Sequence, residues 1–319
     1  MVRFGIMGCG GISDRFCSVL NKENGVSIQA VAARDLGKAE AFAKKHGANT
    51  SCTYEELVRD SKVDIVYIGT VHSHHYEQIK LCLENGKPVL CEKPMVLHGD
   101  DARECFALAK EKGLLLMEAM WTRMNPCIIE ATCWVREGAI GDVKLVTADF
   151  CYNAPYDPES RIFNPELAGG ALYDVGVYVV EFAGGILGEG PNHIAAAVQF
   201  AQTGADTYTA LSLSYPGGAV ASLTCGVTAA TPHSGAVYGT KGSIVFSGEF
   251  WRTHDAICYD NGGNIVESFH EDFEDGFCYM IRHVVDLINS GAIESRLIPW
   301  KDTVACADLF DRVLGGKNK

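Results

Sequence analysis

The chain has 319 residues, 47% hydrophobic and 21% charged, with a formal net charge of -13 at pH 7. That length fits about two domains with a sizeable core, and the acidic balance, with no basic patch to offset it, argues against nucleic acid and anionic membranes as partners. No run approaches the roughly 18 apolar residues of a membrane span, and MVRFGIMG has no basic segment leading into an apolar signal core, so a cytoplasmic protein is expected.

The 13 cysteines are scattered, without CxxC pairs or histidines at zinc-finger spacing, and most read as reduced, buried, structural residues. His72, His74 and His75 cluster, but no second run of ligand-type residues accompanies them, so no metal is expected.

The first third alternates short apolar runs with helical patterns. Strands are predicted over 2–7, 26–33, 63–68, 88–91 and 114–117, and helices over 12–20, 37–46, 54–60, 74–85 and 100–112. Thr53, followed three residues later by Glu56, forms a capping box at one helix start. Apolar strands separated by helices predict a parallel sheet covered on both faces, a doubly wound Rossmann-type domain over 1–118.

The turn after the first strand reads GCGGIS. Gly8 and Gly10 stand at the first two glycine positions of the dinucleotide fingerprint, and Gly11 and Ile12 open the helix whose N-terminus would carry the pyrophosphate. Ser13 occupies the third position, where Gly or Ala is usual. By themselves the glycines describe a flexible turn; their place between the first strand and a helix points to a dinucleotide. After the second strand, Ala33 stands where an NAD enzyme has an acidic residue, and Arg34 and Lys38 supply cations for a 2′-phosphate. NADP is therefore expected. NAD is the alternative if those cations are ordinary surface residues and Asp35 takes the ribose.

TVHSHH (70–75) and CEKPM (91–95) end later strands of the same sheet. Ligands bind outside the carboxyl ends of such strands, so Thr70, His72, His75, Glu92 and Lys93 are expected on the cofactor rim. For Glu92 and Lys93 the alternative is a solvated ion pair at a strand end.

Beyond 118 the pattern changes. A helix is predicted over 128–137, alternating segments over 144–152, 194–201, 207–215, 219–226, 236–239 and 243–246, and helices over 273–289 and 301–314. This predicts an α/β domain over 119–319 with a large open, mostly antiparallel sheet, one face on helices and the other on a partner subunit.

In this order, GCGGIS, TVHSHH, CEKPM, EAMWTRMNP and GGALYDVGVY resemble the glucose-fructose oxidoreductase / inositol dehydrogenase (Gfo/Idh/MocA) superfamily across essentially the whole chain. EAMWTRMNP and RIFNPELAGGALYDVGVY are most similar to the branch of dimeric dihydrodiol dehydrogenases and NADP-dependent D-xylose dehydrogenases. The resemblance implies a Rossmann domain followed by an α/β domain whose open sheet forms a dimer interface. It makes Lys93 the family lysine, sets Glu92 against the nicotinamide ribose, and puts the family's Asp and Tyr-or-His pair on Asp174 and Tyr178. That spacing of four sets both on one helical face. Two departures bear on substrate detail: the usual TPN reads Thr70-Val71-His72, and the usual triple glycine reads Ala168-Gly169-Gly170.

Hydride transfer to or from a secondary alcohol requires a group to take or give the hydroxyl proton. Tyrosine, with a pKa of about 10, is a poor base unless an ammonium such as Lys93 stabilises its phenolate. Asp174 would bind a second substrate hydroxyl or orient Lys93. Trp121, Arg123, Tyr152, Tyr156 and Arg161 are expected in the pocket wall, where flat rings with polar edges suit a sugar or a dihydrodiol. Periodicity alone would make Tyr178 a core residue among Val175, Val177, Val179 and Val180, and Asp174 a helix-start residue. The implied activity is that of a dehydrogenase acting on CH–OH groups of a sugar, polyol or trans-dihydrodiol. The alternatives are a dinucleotide-binding sensor of the same fold and an anhydrosugar or keto-sugar reductase.

Overall fold

The computed structural model describes residues 1–315. The chain forms two compact units. The first comprises Met1–Val96, Asp100–Ala119 and Phe277–Trp300; the second comprises Leu97–Gly99, Met120–Gly276 and the C-terminal stretch from Lys301.

In the first unit the chain runs β1 (Val2–Met7), α1 (Gly11–Leu20), β2 (Val26–Ala32), α2 (Leu36–His46), β3 (Thr50–Cys52), α3 (Tyr54–Arg59), β4 (Ile65–Ile68), α4 (His75–Glu84), β5 (Val89–Cys91), α5 (Gly99–Lys112) and β6 (Leu116–Glu118). The sheet order is β3-β2-β1-β4-β5-β6, every pairing parallel, as the apolar strands predicted. Phe4, Ile6, Val66, Tyr67, Ile68 and Leu90 are wholly buried, because helices cover both faces. The Thr53–Glu56 capping box forms at the start of α3. The helix Phe277–Ser290 packs with this unit although it follows the second sheet in sequence: the Arg15 guanidinium lies 4.2 Å from the Phe277 ring centroid, and Arg282 pairs with Glu23 at 2.7 and 3.0 Å.

The second unit contains α6 (Pro126–Glu137), β7 (Val143–Cys151), a π-helical turn (Leu172–Gly176) continuing into α7 (Val177–Leu187), and β8 (His193–Phe200), β9 (Asp206–Ser214), β10 (Val220–Gly226), β11 (Gly235–Gly239), β12 (Gly242–Phe246), β13 (Asp255–Asp260) and β14 (Ile265–His270). After α8, the helix Phe277–Ser290 already described, comes α9 (Trp300–Leu314). The sheet order is β14-β13-β12-β11-β7-β10-β9-β8; β7 and β10 pair in parallel and the other neighbours are antiparallel. The β13–β14 hairpin adds two strands to those expected from the sequence. Its edge strand IVESFH is exposed along most of its length, so it lacks the in–out alternation that marks a half-buried strand.

Contrary to the expectation that no run approaches a membrane span, one helical stretch among the described residues, Pro165–Leu187, is long and apolar enough to cross a membrane by length and composition, with a mean hydropathy of 1.3 over an 18-residue window. Of that window 78% is buried inside the fold, which is the position of a core helix.

Candidate functional site

In the first unit the sheet order reverses between β1 and β4, and the turns that leave these strands lie side by side: Gly69 N donates to Met7 O at 2.9 Å. Gly8 has a φ of +101°, and a Cβ there would lie 2.9 Å from Gly69 O, so both backbone conformation and space require glycine. At Gly11 a Cβ would meet nothing within 4 Å, so the mouth of the turn is open. Helix α1 begins with Gly10 at its N-cap and no side-chain capping bond. Ile12 lies in its first turn, where unbonded N–H groups favour an anion. Ser13 is buried and its Oγ donates to Gly69 O at 3.3 Å, with no room for a Cβ on Gly69. A small residue is required here because helix and strand turn touch, and serine meets that requirement.

Arg34 and Lys38 are both exposed beyond β2. Asp35 accepts from Lys38 N at 3.2 Å as the N-cap of α2, which commits its carboxylate to the helix start. Tyr54, which drew no notice in the sequence, is half-buried; burial holds its phenol above the ordinary range, and Arg34 partly opposes this.

The TVHSHH segment divides. Thr70 Oγ1 donates to Gln78 Oε1 at 2.6 Å, and His72 sits half-exposed, 5.7 Å from the His75 ring centroid. His75 is different. Its ring is wholly buried, with Nδ1 2.9 Å from Pro94 O and Nε2 3.3 Å from Thr70 O, and burial drives its pKa down to about 4. Both neighbours are carbonyls that can only accept, and the neutral ring has one N–H to give; the shorter contact, from Nδ1 to Pro94 O, is the better hydrogen bond. The expected contact of His75 with cofactor is replaced by a structural tie between two rim loops.

Glu92 is buried, with 4% exposure. Its Oε1 accepts from Tyr67 OH at 2.8 Å and its Oε2 from Lys93 N at 3.3 Å. Burial raises the Glu92 pKa, while Lys93 and the Tyr67 hydroxyl act in the opposite direction. Lys93 follows, half-exposed, joined to Pro94 by a cis peptide.

In the second unit, Asp174 lies in the π-helical turn and Tyr178 in the first turn of α7. The turn is pressed onto the sheet at Gly176, where a Cβ would lie 2.8 Å from Leu172 Cδ1 and 2.9 Å from Cys225 Sγ. Asp206 anchors its start: Oδ2 accepts from Leu172 N at 2.7 Å and from Thr209 Oγ1 at 3.3 Å. Gly170, with φ +134°, leaves room for that carboxylate. Burial pushes the Asp206 pKa up to about 6. Asp174 is fixed at both oxygens, by Tyr152 OH at 2.6 Å and by Arg161 Nη1 at 3.0 Å. It thus serves as an anchor for two of the side chains expected in the pocket wall.

Trp121 Nε1 donates to Tyr178 OH at 3.1 Å. Around this pair the rings form a wall: Phe150 lies 5.3 Å from Tyr178, Trp251 stacks on Phe150 at 5.1 Å, and Trp121 meets Trp251 edge-on at 5.7 Å. His233, a non-glycine residue at φ +61°, packs 4.6 Å from Phe150 with Nε2 donating to Cys151 O. Phe150, His233 and Trp251 were missed in the sequence; an aromatic within an alternating strand and one in a loop carry no signal of facing each other. Tyr156 is exposed and leans edge-on against Phe163 at 5.0 Å.

Arg123 departs from expectation. Its Nη1 donates to Glu181 Oε2 at 2.8 Å and to Asp302 Oδ2 at 2.7 Å, and all three side chains are at most 9% exposed. Paired this way it joins helices in the interior instead of lining a pocket. Among the described residues, no group of three or more His, Cys, Asp or Glu could hold a metal ion.

Residues 2–120 match the oxidoreductase family with an NAD-binding Rossmann fold, and residues 128–245 match the Gfo/Idh/MocA C-terminal domain. Similar curated proteins include trans-1,2-dihydrobenzene-1,2-diol dehydrogenases from Sus scrofa (34% identical, 98% of this chain and 96% of that one) and Xenopus laevis (35%, 98% and 97%). Among solved structures, a 3-ketoreductase from Actinomadura kijaniata in complex with NADP and TDP-benzene is 27% identical, with a TM-score of 0.87 over 99% of this chain and 97% of that one. With both halves matched and relatives of such identity along nearly its whole length, the chain belongs to the Gfo/Idh/MocA oxidoreductase family.

Proposed function

We propose that this protein is an NADP-dependent oxidoreductase that transfers hydride to or from a secondary alcohol carbon of a sugar, a polyol or a trans-dihydrodiol. The observation that carries this reading is the match, along 98% of the chain, to trans-dihydrodiol dehydrogenases. The open glycine turn and the uncapped start of α1 fit a pyrophosphate. The exposed Arg34 and Lys38, beside an Asp35 engaged in capping, favour NADP over NAD. The 3-ketoreductase solved with NADP supports the same cofactor, and it favours reduction of a keto-sugar as the second reading, the same chemistry run in reverse.

When bound, the nicotinamide supplies or accepts the hydride. Lys93 stabilises negative charge on the reacting oxygen, and Tyr178 moves the hydroxyl proton. The Trp121 N–H already rests on the phenol oxygen of Tyr178, where charge forms when that proton leaves. Phe150 and Trp251, both half-buried, offer flat surface to a sugar face or an arene diol, while Trp121, expected in the pocket wall but only 2% exposed, backs them from the interior. Asp174 orients Arg161 and Tyr152.

Lys93→Met and Tyr178→Phe are each expected to slow single-turnover hydride transfer by about 10² to 10⁴ while retaining NADP binding. Parent-like turnover in either variant would remove that residue from the mechanism. For the cofactor, Arg34→Ala is expected to weaken NADP about tenfold or more, the worth of one charge-assisted contact, and to leave NAD unchanged. Equal dissociation constants for the two cofactors in the parent would reverse the assignment.

We further propose a homodimer built on the outer face of the second sheet, and residence in the cytoplasm. The first is supported by the exposed Val220, Tyr238 and Val245 on that face, the second by 13 cysteines none of which is joined in a disulfide among the described residues.

A further inference from the structure

Strand β4 reads IVYI, and a tyrosine there must bring its hydroxyl into the core of a parallel sheet. Tyr67 is wholly buried and stacks on Phe16, with ring centroids 3.7 Å apart and planes within 5°. Gly69 makes the fit possible: a Cβ there would lie 2.8 Å from Tyr67 Cε1. The hydroxyl ends 2.8 Å from Glu92 Oε1. A phenylalanine would fill the same space without placing a polar group in the core, so packing alone does not explain the tyrosine.

We propose that Tyr67 is a positioning residue for cofactor binding: its hydroxyl fixes the plane of the Glu92 carboxylate and keeps it a charged acceptor for a ribose hydroxyl. This rests on the proposed role of Glu92 at the nicotinamide ribose. The carboxylate is flanked by the charges of Lys93 and of Arg15 from α1. Cys91 stands beside it on β5, and Cys17 of α1 borders Tyr67. Glu118 on β6 also acts on Cys91 and accepts from Met95 N at 2.9 Å. Burial favours the neutral acid in this setting, and the donated hydrogen bond opposes it. Without the hydroxyl, Glu92 holds its proton to higher pH and loses acceptor capacity.

The test is NADP titration by fluorescence from pH 5.5 to 9 on the parent, Tyr67→Phe, Glu92→Gln and the double variant. Tyr67→Phe retains the ring on Phe16, and its thermal midpoint checks that the fold persists. Tyr67→Phe is expected to weaken NADP about five- to tenfold at neutral pH, a part of the worth of one hydrogen bond to a charged group, because the lost bond acts on the cofactor only through Glu92. The pH below which affinity falls should also rise. The double variant should bind no worse than Glu92→Gln alone, the mark of two residues acting as one. If Glu92→Gln weakens binding and Tyr67→Phe matches the parent across the pH range, the positioning role is overturned while the Glu92 reading stands. If neither variant weakens binding, both fall. If Tyr67→Phe weakens binding but Glu92→Gln does not, Tyr67 acts by another route and the inference is again overturned.

Discussion

His75 and Glu92 leave neighbouring strands of one sheet, and each carries a titratable group into the core. His75 lies against Pro94 O and Thr70 O with a pKa lowered from 6.5 to about 4 by burial. For a base whose folded pKa is depressed, the unfolded chain binds the proton first. The stabilisation is present above pH 6.5 and is lost as pH falls toward 4, an effect of roughly 3 kcal/mol. His75→Gln, which keeps a donor for Pro94 O, should remove that acid-side loss in urea-unfolding midpoints measured between pH 4 and 7; an unchanged slope would mean that other groups set it. Asp206 in the second unit acts with the opposite sign. Its carboxyl is raised to about 6, so its contribution is present below its ordinary value near 3.8 and is lost as pH rises through 6. At this scale the sequence located the TVHSHH rim but did not distinguish a ring that faces a ligand from one that ties two loops, because ring direction depends on the distant Pro94 carbonyl.

The helical segment bearing Asp174 and Tyr178 was legible as a spacing of four residues, yet its geometry was not. The turn is π-helical, pinned by close contact at Gly176 and by the Asp206 carboxylate from β9. Such a turn arises from packing against strands remote in sequence, to which local periodicity is blind. Arg123 illustrates the same limit. Its neighbours in EAMWTRMNP mark a site motif, but Glu181 of α7 and Asp302 of α9 close around it. Arg123→Met would leave two buried carboxylates without their cation, and it should lower stability by about 3 to 5 kcal/mol with KM unchanged in the folded fraction. A shifted KM at an unchanged thermal midpoint would return Arg123 to the pocket wall.

The outer face of the second sheet bears on the proposed homodimer. Tyr238 pairs in register with Leu145, and Val245 with Ala236 and Ile257, setting apolar side chains in adjacent rows on four neighbouring strands. Tyr238 and Val245 are 41% and 37% exposed. Contiguous apolar surface of this kind is costly to leave in water. Light scattering is expected to give twice the chain mass of 34.5 kDa, and Val245→Glu is expected to shift the protein toward monomer. A parent that scatters as a monomer at micromolar concentration would exclude this interface.

Sequence alone determined the parallel Rossmann sheet, the glycine turn, the rim segments ending β4 and β5, and the family, because each is written in local periodicity or a contiguous motif. The strand order was not written there, because the same alternation of apolar strands and helices suits more than one doubly wound order. Tertiary structure decided the rest. It joined Tyr67 to Glu92 across two strands, closed the aromatic wall of Trp121, Phe150 and Trp251, tied Asp174 to Tyr152 and Arg161, and returned helix Phe277–Ser290 to the first unit. These are meetings of residues far apart in the chain, whose partners are chosen by the free energy of burying and pairing polar groups after the sheets have formed.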